Sequence, residues 1–331
     1  MIRQKLTVGR LYKETRERLK LRLLTPNAGF EREITDSELH RPGLALAGFL
    51  ELFTYNRVQI LGNTEIRYLQ SLSQRARKLA IERVLEYDIP CIMVTDNNEP
   101  PKELIQVATR RYVCVFGTEY PTTKFSHYLS DYLQNEFAPR TTVHGTLVDV
   151  YGIGLLFTGR SGIGKSEIAL DLVERGHRLV ADDVVIITRK AEEILMGESR
   201  EIALHHLEIR GLGLIDVRSI FGIRAVRVHK RVEVEVQLVD FDPEADYDRI
   251  GLDEEKTNIL GVEIPLVTLP INPGKNITVI AETIALNQLL KIYGHHTAQE
   301  FNRRLIEKMR EKEKQHLLNL KMRDFLDKDF E

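Results

Sequence analysis

Apolar positions recur along this chain with two different periods, and the change between them divides it. In the first 125 or so residues, helix-like and strand-like stretches alternate. Leu6 to Leu11 leads into an Arg/Lys-rich helical stretch, and Arg57 to Leu61 reads as a strand closed by Gly62-Asn63. From Glu65 to Leu85 the residues Leu69, Leu72, Ala76, Leu79 and Ala80 fall on one side of a helix. Ile89 to Val94 is a second strand, ended by Asp96-Asn97-Asn98, and Pro100-Pro101 opens a helix over Lys102 to Thr109. This order predicts a small α/β domain. Phe125 to Phe137 reads as a helix stopped at Ala138-Pro139. Beyond Thr141 the pattern turns strand-rich, with strands expected over Thr142–Val150, Gly152–Phe157, Leu179–Ala181, Val184–Ile187 and Val232–Val239. The expected organisation is therefore an N-terminal α/β domain over residues 1–130, with an assembly or regulatory role, and a second α/β domain over residues 131–331. Thr297 to Phe330 is a charged amphipathic helix or helix pair, with Leu305, Met309, His316, Leu317 and Leu320 on its apolar side.

Length agrees with two domains, since 331 residues exceed the size at which one core stops growing. With 43% hydrophobic residues the chain can bury sizeable cores. A net charge of −2, without a long block of like charges, argues against a nucleic-acid or membrane footprint. The richest apolar stretch, Leu44 to Phe53, is too short to span a bilayer and carries Glu51. Cys91 and Cys114 each lie in an apolar run, as buried reduced thiols of a cytoplasmic protein do.

Chemistry concentrates in the second domain. Gly159-Arg160-Ser161-Gly162-Ile163-Gly164-Lys165-Ser166 follows an apolar strand and opens a helix, the context that makes G-x-x-x-x-G-K-[ST] a phosphate site. Its glycines bring successive N–H groups to the phosphate oxygens, and the helix N-terminus adds partial positive charge. Lys165 would serve the β and γ phosphates of ATP, and the Ser166 hydroxyl the accompanying Mg²⁺. The helix from Lys165 to Arg175 should run about 16 Å away from the nucleotide. A strand from His177 to Ala181 returns about the same distance and sets Asp182-Asp183 beside the phosphates. Adjacent carboxylates there suit Mg²⁺ coordination and general-base work. Adjacent strand residues point oppositely, so the two need not share a role. His144, before the strand that feeds the loop, could donate to a carboxylate or contact phosphate, or be structural. Glu208-Ile209-Arg210-Gly211-Leu212-Gly213 puts a carboxylate, a guanidinium and two glycines in one short loop, as a Mg²⁺- and phosphate-binding segment does.

In order and spacing, Val143-His144-Gly145-Thr146, the loop at 159–166, the run from Arg178 to Asp183, and Glu208 to Val217 resemble the bifunctional HPr kinase/phosphorylase family. Pro270-Ile271-Asn272-Pro273-Gly274-Lys275-Asn276, the run from Arg41 to Gly48, and Glu99-Pro100-Pro101 extend the resemblance over nearly the whole chain. It implies a C-terminal P-loop kinase domain like that of phosphoenolpyruvate carboxykinases, and a homohexamer. The implied activity phosphorylates a serine of the phosphocarrier protein HPr, or a homologue, with ATP or pyrophosphate. Its reversal uses inorganic phosphate and yields pyrophosphate. Asp183 would be the base in one direction and the acid in the other, with His144, Lys165 and Arg249 as catalytic partners and Ser166 and Glu208 as Mg²⁺ ligands. Arg249 would be a mobile cation on the transferring phosphoryl group. The loops Glu208–Gly213 and Pro270–Lys275 would complete the machinery. Relatives commonly carry arginines around Pro273-Gly274, where this chain has Asn272 and Lys275, a difference that bears on phosphorolysis. Two other classes share the same loop: a small-molecule P-loop kinase and a non-catalytic nucleotide-sensing regulator.

Overall fold

The structure, a computed structural model, describes residues 6–26, 29–191, 193–244, 255–272 and 274–328, with side chains described to residue 316. The chain forms two compact units, Met1–Ala138 and Pro139–Glu331.

In the first unit a five-stranded sheet runs in the order Arg22–Leu23, Cys114–Gly117, Cys91–Val94, Val58–Leu61, Leu39–His40. The last four strands are mutually parallel and the first is antiparallel to its neighbour. The three central strands are buried along their whole length, as parallel strands covered on both faces are. One face packs on Asn63–Ser71, Gln74–Leu85 and Lys102–Arg110 through Leu69, Ile81, Leu104 and Val107. The other packs on Val8–Thr15 and Thr122–Phe137 through Leu11, Phe125 and Leu129. Truncating Phe125, which is fully buried, to Ala would cost about 3–5 kcal/mol. Cys91 and Cys114 are both buried and lie opposite each other on adjacent strands. Burial pushes the Cys114 thiol up to about 11, so it stays protonated.

The single helix expected over residues 65–85 is two helices. Leu72 is extended at φ −80, ψ 149, and the Ser73 Oγ accepts from the Ala76 N–H at 3.4 Å to start the second. Arg77 donates to the Leu69 and Leu72 carbonyls at 2.8 and 3.0 Å, joining the Leu72 N–H on the first and satisfying the second, which lies past the helix end.

The second unit has a six-stranded sheet in the order Arg178–Ala181, Thr146–Val150, Ile153–Thr158, Val234–Asp240, Val262–Ile271, Lys256–Ile259. Ile153–Thr158, Val234–Asp240 and Val262–Ile271 are parallel and end at one edge. Helices Lys165–Glu174 and Ile277–Ile292 cover one face through Leu172, Ala281 and Ala285. An antiparallel sheet of His229–Arg231, Ile194–Ser199, Val184–Lys190 and Arg140–His144 shares the second core, with Leu147, Leu156, Val185 and Ile187 interleaved.

The strand expected over Thr142–Val150 is likewise two. Arg140–His144 belongs to the four-stranded sheet and Thr146–Val150 to the six-stranded one. The chain changes sheets at Gly145, where a Cβ would stand 2.5 Å from the Phe157 carbonyl oxygen. The C-terminal segment is one helix, Thr297–Lys328, on which Leu305 and Met309 are exposed. Leu317 and Leu320 lie beyond the described side chains. Among the described residues no helix is long and apolar enough to cross a membrane.

Candidate active site

Ligands of open α/β sheets sit outside the carboxyl ends of the parallel strands, and three such ends meet here. Ile153–Thr158 runs into the glycine loop, Val234–Asp240 ends beside it, and Val262–Ile271 ends at the Pro270–Lys275 segment. Gly164, at φ 108, precedes the helix Lys165–Glu174, whose first N–H groups have no partner within the helix and face the loop. The Lys165 ammonium donates to the Gly159 and Arg160 carbonyls at 3.0 and 3.1 Å, so it lies across the loop it serves. Ile163 is the loop's apolar anchor, packed into the core beneath.

Asp182 holds the loop from below. Its carboxylate is 5% exposed and accepts from Thr146 Oγ1 at 2.6 Å, Ser166 Oγ at 3.0 Å and the Glu208 N–H at 3.2 Å. The serine hydroxyl therefore gives its proton to Asp182 and turns its lone pairs away, as a cation ligand needs. Three donors on one buried carboxylate also tie the phosphate loop, the strand Thr146–Val150 and the Glu208 hairpin into one body.

Asp183 does the opposite. It takes the left-handed conformation, φ 64, which puts its carboxylate in solvent while its carbonyl accepts from the Gly145 N–H at 3.1 Å. His144 is exposed and paired with Val184, at the same end of the ladder as Asp183. The change of sheet at Gly145 thus sets His144 beside Asp183, next in the chain to the Asp182 that holds Ser166.

The Glu208 segment is an antiparallel hairpin of His206–Ile209 and Gly213–Asp216. Asp216 caps the helix Val217–Phe221 by accepting from the Ser219 N–H at 3.0 Å and from its hydroxyl, and those bonds hold the Asp216 carboxyl below its usual range. Glu208, Arg210, Gly211, Leu212 and Gly213 are exposed and Ile209 half-buried. Arg210 reaches the loop, donating to Ser161 Oγ at 3.4 Å. Gly162 takes φ 79, a left-handed conformation that strains any residue with a Cβ, and the end of the Arg210 side chain lies against it.

On the far side, Arg160 forms a forked pair with Asp240, Nε to Oδ2 and Nη2 to Oδ1, both at 2.7 Å. The pair holds the Asp240 carboxyl below, and the guanidinium above, its ordinary value, through the hydrogen bonds first and the charges second. At the third strand end, Pro270 and Asn272 are half-buried, Gly274 and Lys275 are exposed, and Lys275 Nζ donates to the Pro270 carbonyl at 3.4 Å. Arg249 and Pro273 lie outside the described residues.

The sequence reading singled out the loop, His144, Asp183 and Glu208, and the structure brings them to one edge. It named Thr146 only within the Val143–Thr146 run and gave it no role, missed Asp240, and left Asp182 without a distinct task. Thr146 carried a signal, a hydroxyl at the start of a largely apolar strand.

Residues 6–133 match the HPr Serine kinase N terminus, and residues 135–305 match the HPr Serine kinase C-terminal domain. A Chloroherpeton thalassium protein named HPr kinase/phosphorylase is 52% identical over 305 residues, covering 92% of this chain and 90% of that protein. One of the same name from Prosthecochloris aestuarii is 55% identical over 282 residues, 85% of this chain and 83% of its own. A solved structure, "Structure of the Hpr(Ser) kinase/phosphatase from Coxiella burnetii", aligns at 34% identity over 49% of this chain and 98% of that chain, with a TM-score of 0.44. With both halves matched by models of one family, and relatives about half identical along most of its length, this chain belongs to the HPr kinase/phosphorylase family.

Proposed function

We propose that this chain transfers a phosphoryl group from ATP to a serine of the phosphocarrier protein HPr or a homologue, and returns it to inorganic phosphate, forming pyrophosphate. The observation that carries the reading is the division between two neighbouring carboxylates. Asp182 is committed to Ser166, while Asp183 stands exposed at the loop mouth. In the kinase direction Asp183 takes the proton of the serine hydroxyl as its oxygen attacks the γ-phosphorus, and the bond to the β-phosphate oxygen breaks. In the reverse direction an oxygen of inorganic phosphate attacks the phosphoserine phosphorus, and Asp183 returns the proton to the departing serine oxygen. Lys165 and the loop amides hold the phosphate chain in both. His144, beside Asp183, and Arg249 are the further catalytic groups.

Ser166 and Glu208 offer the hard oxygen ligands that Mg²⁺ takes in small number alongside substrate phosphates, and Asp182 orients the first. Bound there, Mg²⁺ would neutralise charge on the phosphate chain. The N-terminal unit serves assembly, in a cytoplasmic homohexamer.

The test is incubation with ATP, Mg²⁺ and HPr, with intact-protein mass spectrometry of the acceptor. Gain of one phosphoryl group, lost again with release of pyrophosphate when inorganic phosphate replaces ATP, supports the reading. Label appearing on a small metabolite instead favours a small-molecule kinase, and nucleotide binding without transfer favours a sensor.

A further inference from the structure

In phosphorolysis the nucleophile is an anion that must be held against the negative phosphoserine, so that direction needs cationic help the attack of a neutral hydroxyl does not. The segment Pro270–Lys275 contains no arginine, and the Lys275 ammonium folds back on the Pro270 carbonyl. One strand away, at the same edge, a guanidinium is available. Asp240 is paired with Ile271 in the ladder, so the Arg160–Asp240 fork lies beside the start of that segment. Both side chains are well exposed, at 60% and 66%. The fork therefore adds little to stability. A phosphate presents two oxygens to a guanidinium in the same planar, bidentate manner as a carboxylate, and carries more charge. It can replace Asp240 on Arg160 without moving the backbone, whose residue-160 carbonyl already holds Lys165.

We propose that Arg160 is the guanidinium that captures inorganic phosphate in the reverse reaction, and that Asp240 is the displaceable counter-ion that keeps it extended at the loop mouth until phosphate arrives. The inference rests on the phosphorolysis reading above. It makes Arg160 specific for the exchange of inorganic phosphate and pyrophosphate, whereas Lys165 serves transfer from ATP as well.

The two halves of the fork are expected to respond with opposite signs. With full-length protein, calorimetric titration with inorganic phosphate, pyrophosphate and ATP should show Arg160→Gln weakening phosphate and pyrophosphate by about tenfold, and ATP by less. Arg160→Lys should recover part of the loss, since it restores charge without the fork. Asp240→Asn, which frees the guanidinium, should tighten phosphate by about threefold and lower the apparent KM for phosphate in phosphorolysis. Melting of each variant, read alongside, separates these effects from unfolding. Equal weakening by Arg160→Gln and Asp240→Asn would make the pair a strut between two strand ends and overturn the proposal, as would unchanged phosphate binding in Arg160→Gln. If the unaltered protein phosphorylates the acceptor but never forms pyrophosphate, the phosphorolysis reading itself fails, while the titrations still decide whether Arg160 holds phosphate.

Discussion

Both units end a parallel sheet at a carboxyl edge, and both place acidic residues there, but they treat them differently. In the first unit the edge acids are consumed. Asp96 Oδ2 accepts from Thr122 N–H at 3.2 Å and from Thr122 Oγ1 at 2.7 Å, capping the helix Thr122–Phe137. Glu65, 4% exposed, accepts from the Gly62 N–H at 2.9 Å and from Arg41 at 2.8 Å. In the second unit Asp182 is buried and spent this way, and Asp240 is paired with Arg160 but well exposed. Asp183, Glu208 and His144 remain exposed around a loop of glycines. The same topology thus makes a scaffold where its polar groups satisfy one another and a reaction site where some are left for a substrate to satisfy. The rule that ligands bind at carboxyl edges locates a candidate, and hydrogen-bond bookkeeping selects between candidates.

The contrast breaks most sharply at the loop. Lys165→Ala and Ser166→Ala are each expected to lower transfer in both directions by on the order of 10² to 10³-fold, because each direction holds a phosphate chain in the same cradle. Rates of phosphorylation and phosphorolysis measured on one preparation check this, and near-normal turnover in either direction would remove the loop from the mechanism.

The two neighbouring aspartates should then separate. Asp183→Asn keeps shape and polarity but cannot accept a proton, so single-turnover transfer should fall by about 10² to 10⁴-fold with nucleotide affinity little changed. Asp182→Ala strands three donors, the buried Thr146 hydroxyl among them, and should destabilise the second unit by about 1–3 kcal/mol, read as a lower denaturant midpoint, as well as disordering Ser166. Collapse of nucleotide affinity in Asp183→Asn with transfer preserved would exchange the two roles.

Much of this was legible in the chain. The glycine loop, its strand and its helix are local, and the Lys165–Glu174 helix and the Arg178–Ala181 strand have nearly the lengths that carry the chain out and back. Asp182 and Asp183 were located as a pair, but their division depends on the left-handed turn at Asp183, which adjacent identical residues do not announce. The break at Gly145 was hidden because an unbroken β pattern runs through it; only the approach of the Phe157 carbonyl forces glycine there. The break at Leu72-Ser73 did carry a signal, a serine before a new helical turn, overridden by the continuous apolar stripe. The Arg160–Asp240 fork joins residues far apart in sequence on neighbouring strands, a pairing set by sheet order and not by spacing.

On the scaffold side, Asp96→Ala is expected to cost about 0.5–2 kcal/mol by uncapping Thr122–Phe137, with the rate of phosphoryl transfer per folded molecule unchanged. Denaturant midpoints together with specific activity corrected for folded fraction check it. Loss of transfer beyond the unfolded fraction would give this edge a part in the reaction and erase the distinction between the two units.

The smallest effect concerns acidity. His40, on the outermost strand of the first sheet, packs against the Phe53 ring at 5.5 Å, and burial first and Arg57 second lower its pKa. The folded unit therefore holds this imidazole neutral at a pH where the unfolded chain protonates it. Since the unfolded state then binds more protons, stability rises with pH across that interval. The contribution is fully present above the ordinary histidine value of about 6.5 and is lost progressively as pH falls below it, until the lowered folded-state value is passed. His40→Gln cannot titrate, so it should flatten this part of the slope between about pH 7.5 and about pH 5.5. Hydrogen exchange in Val58–Leu61, the strand paired with His40, reads the unit by itself. An unchanged slope in the variant would mean that His40 is protonated while the unit is folded, and that the acid sensitivity of the scaffold comes from another group.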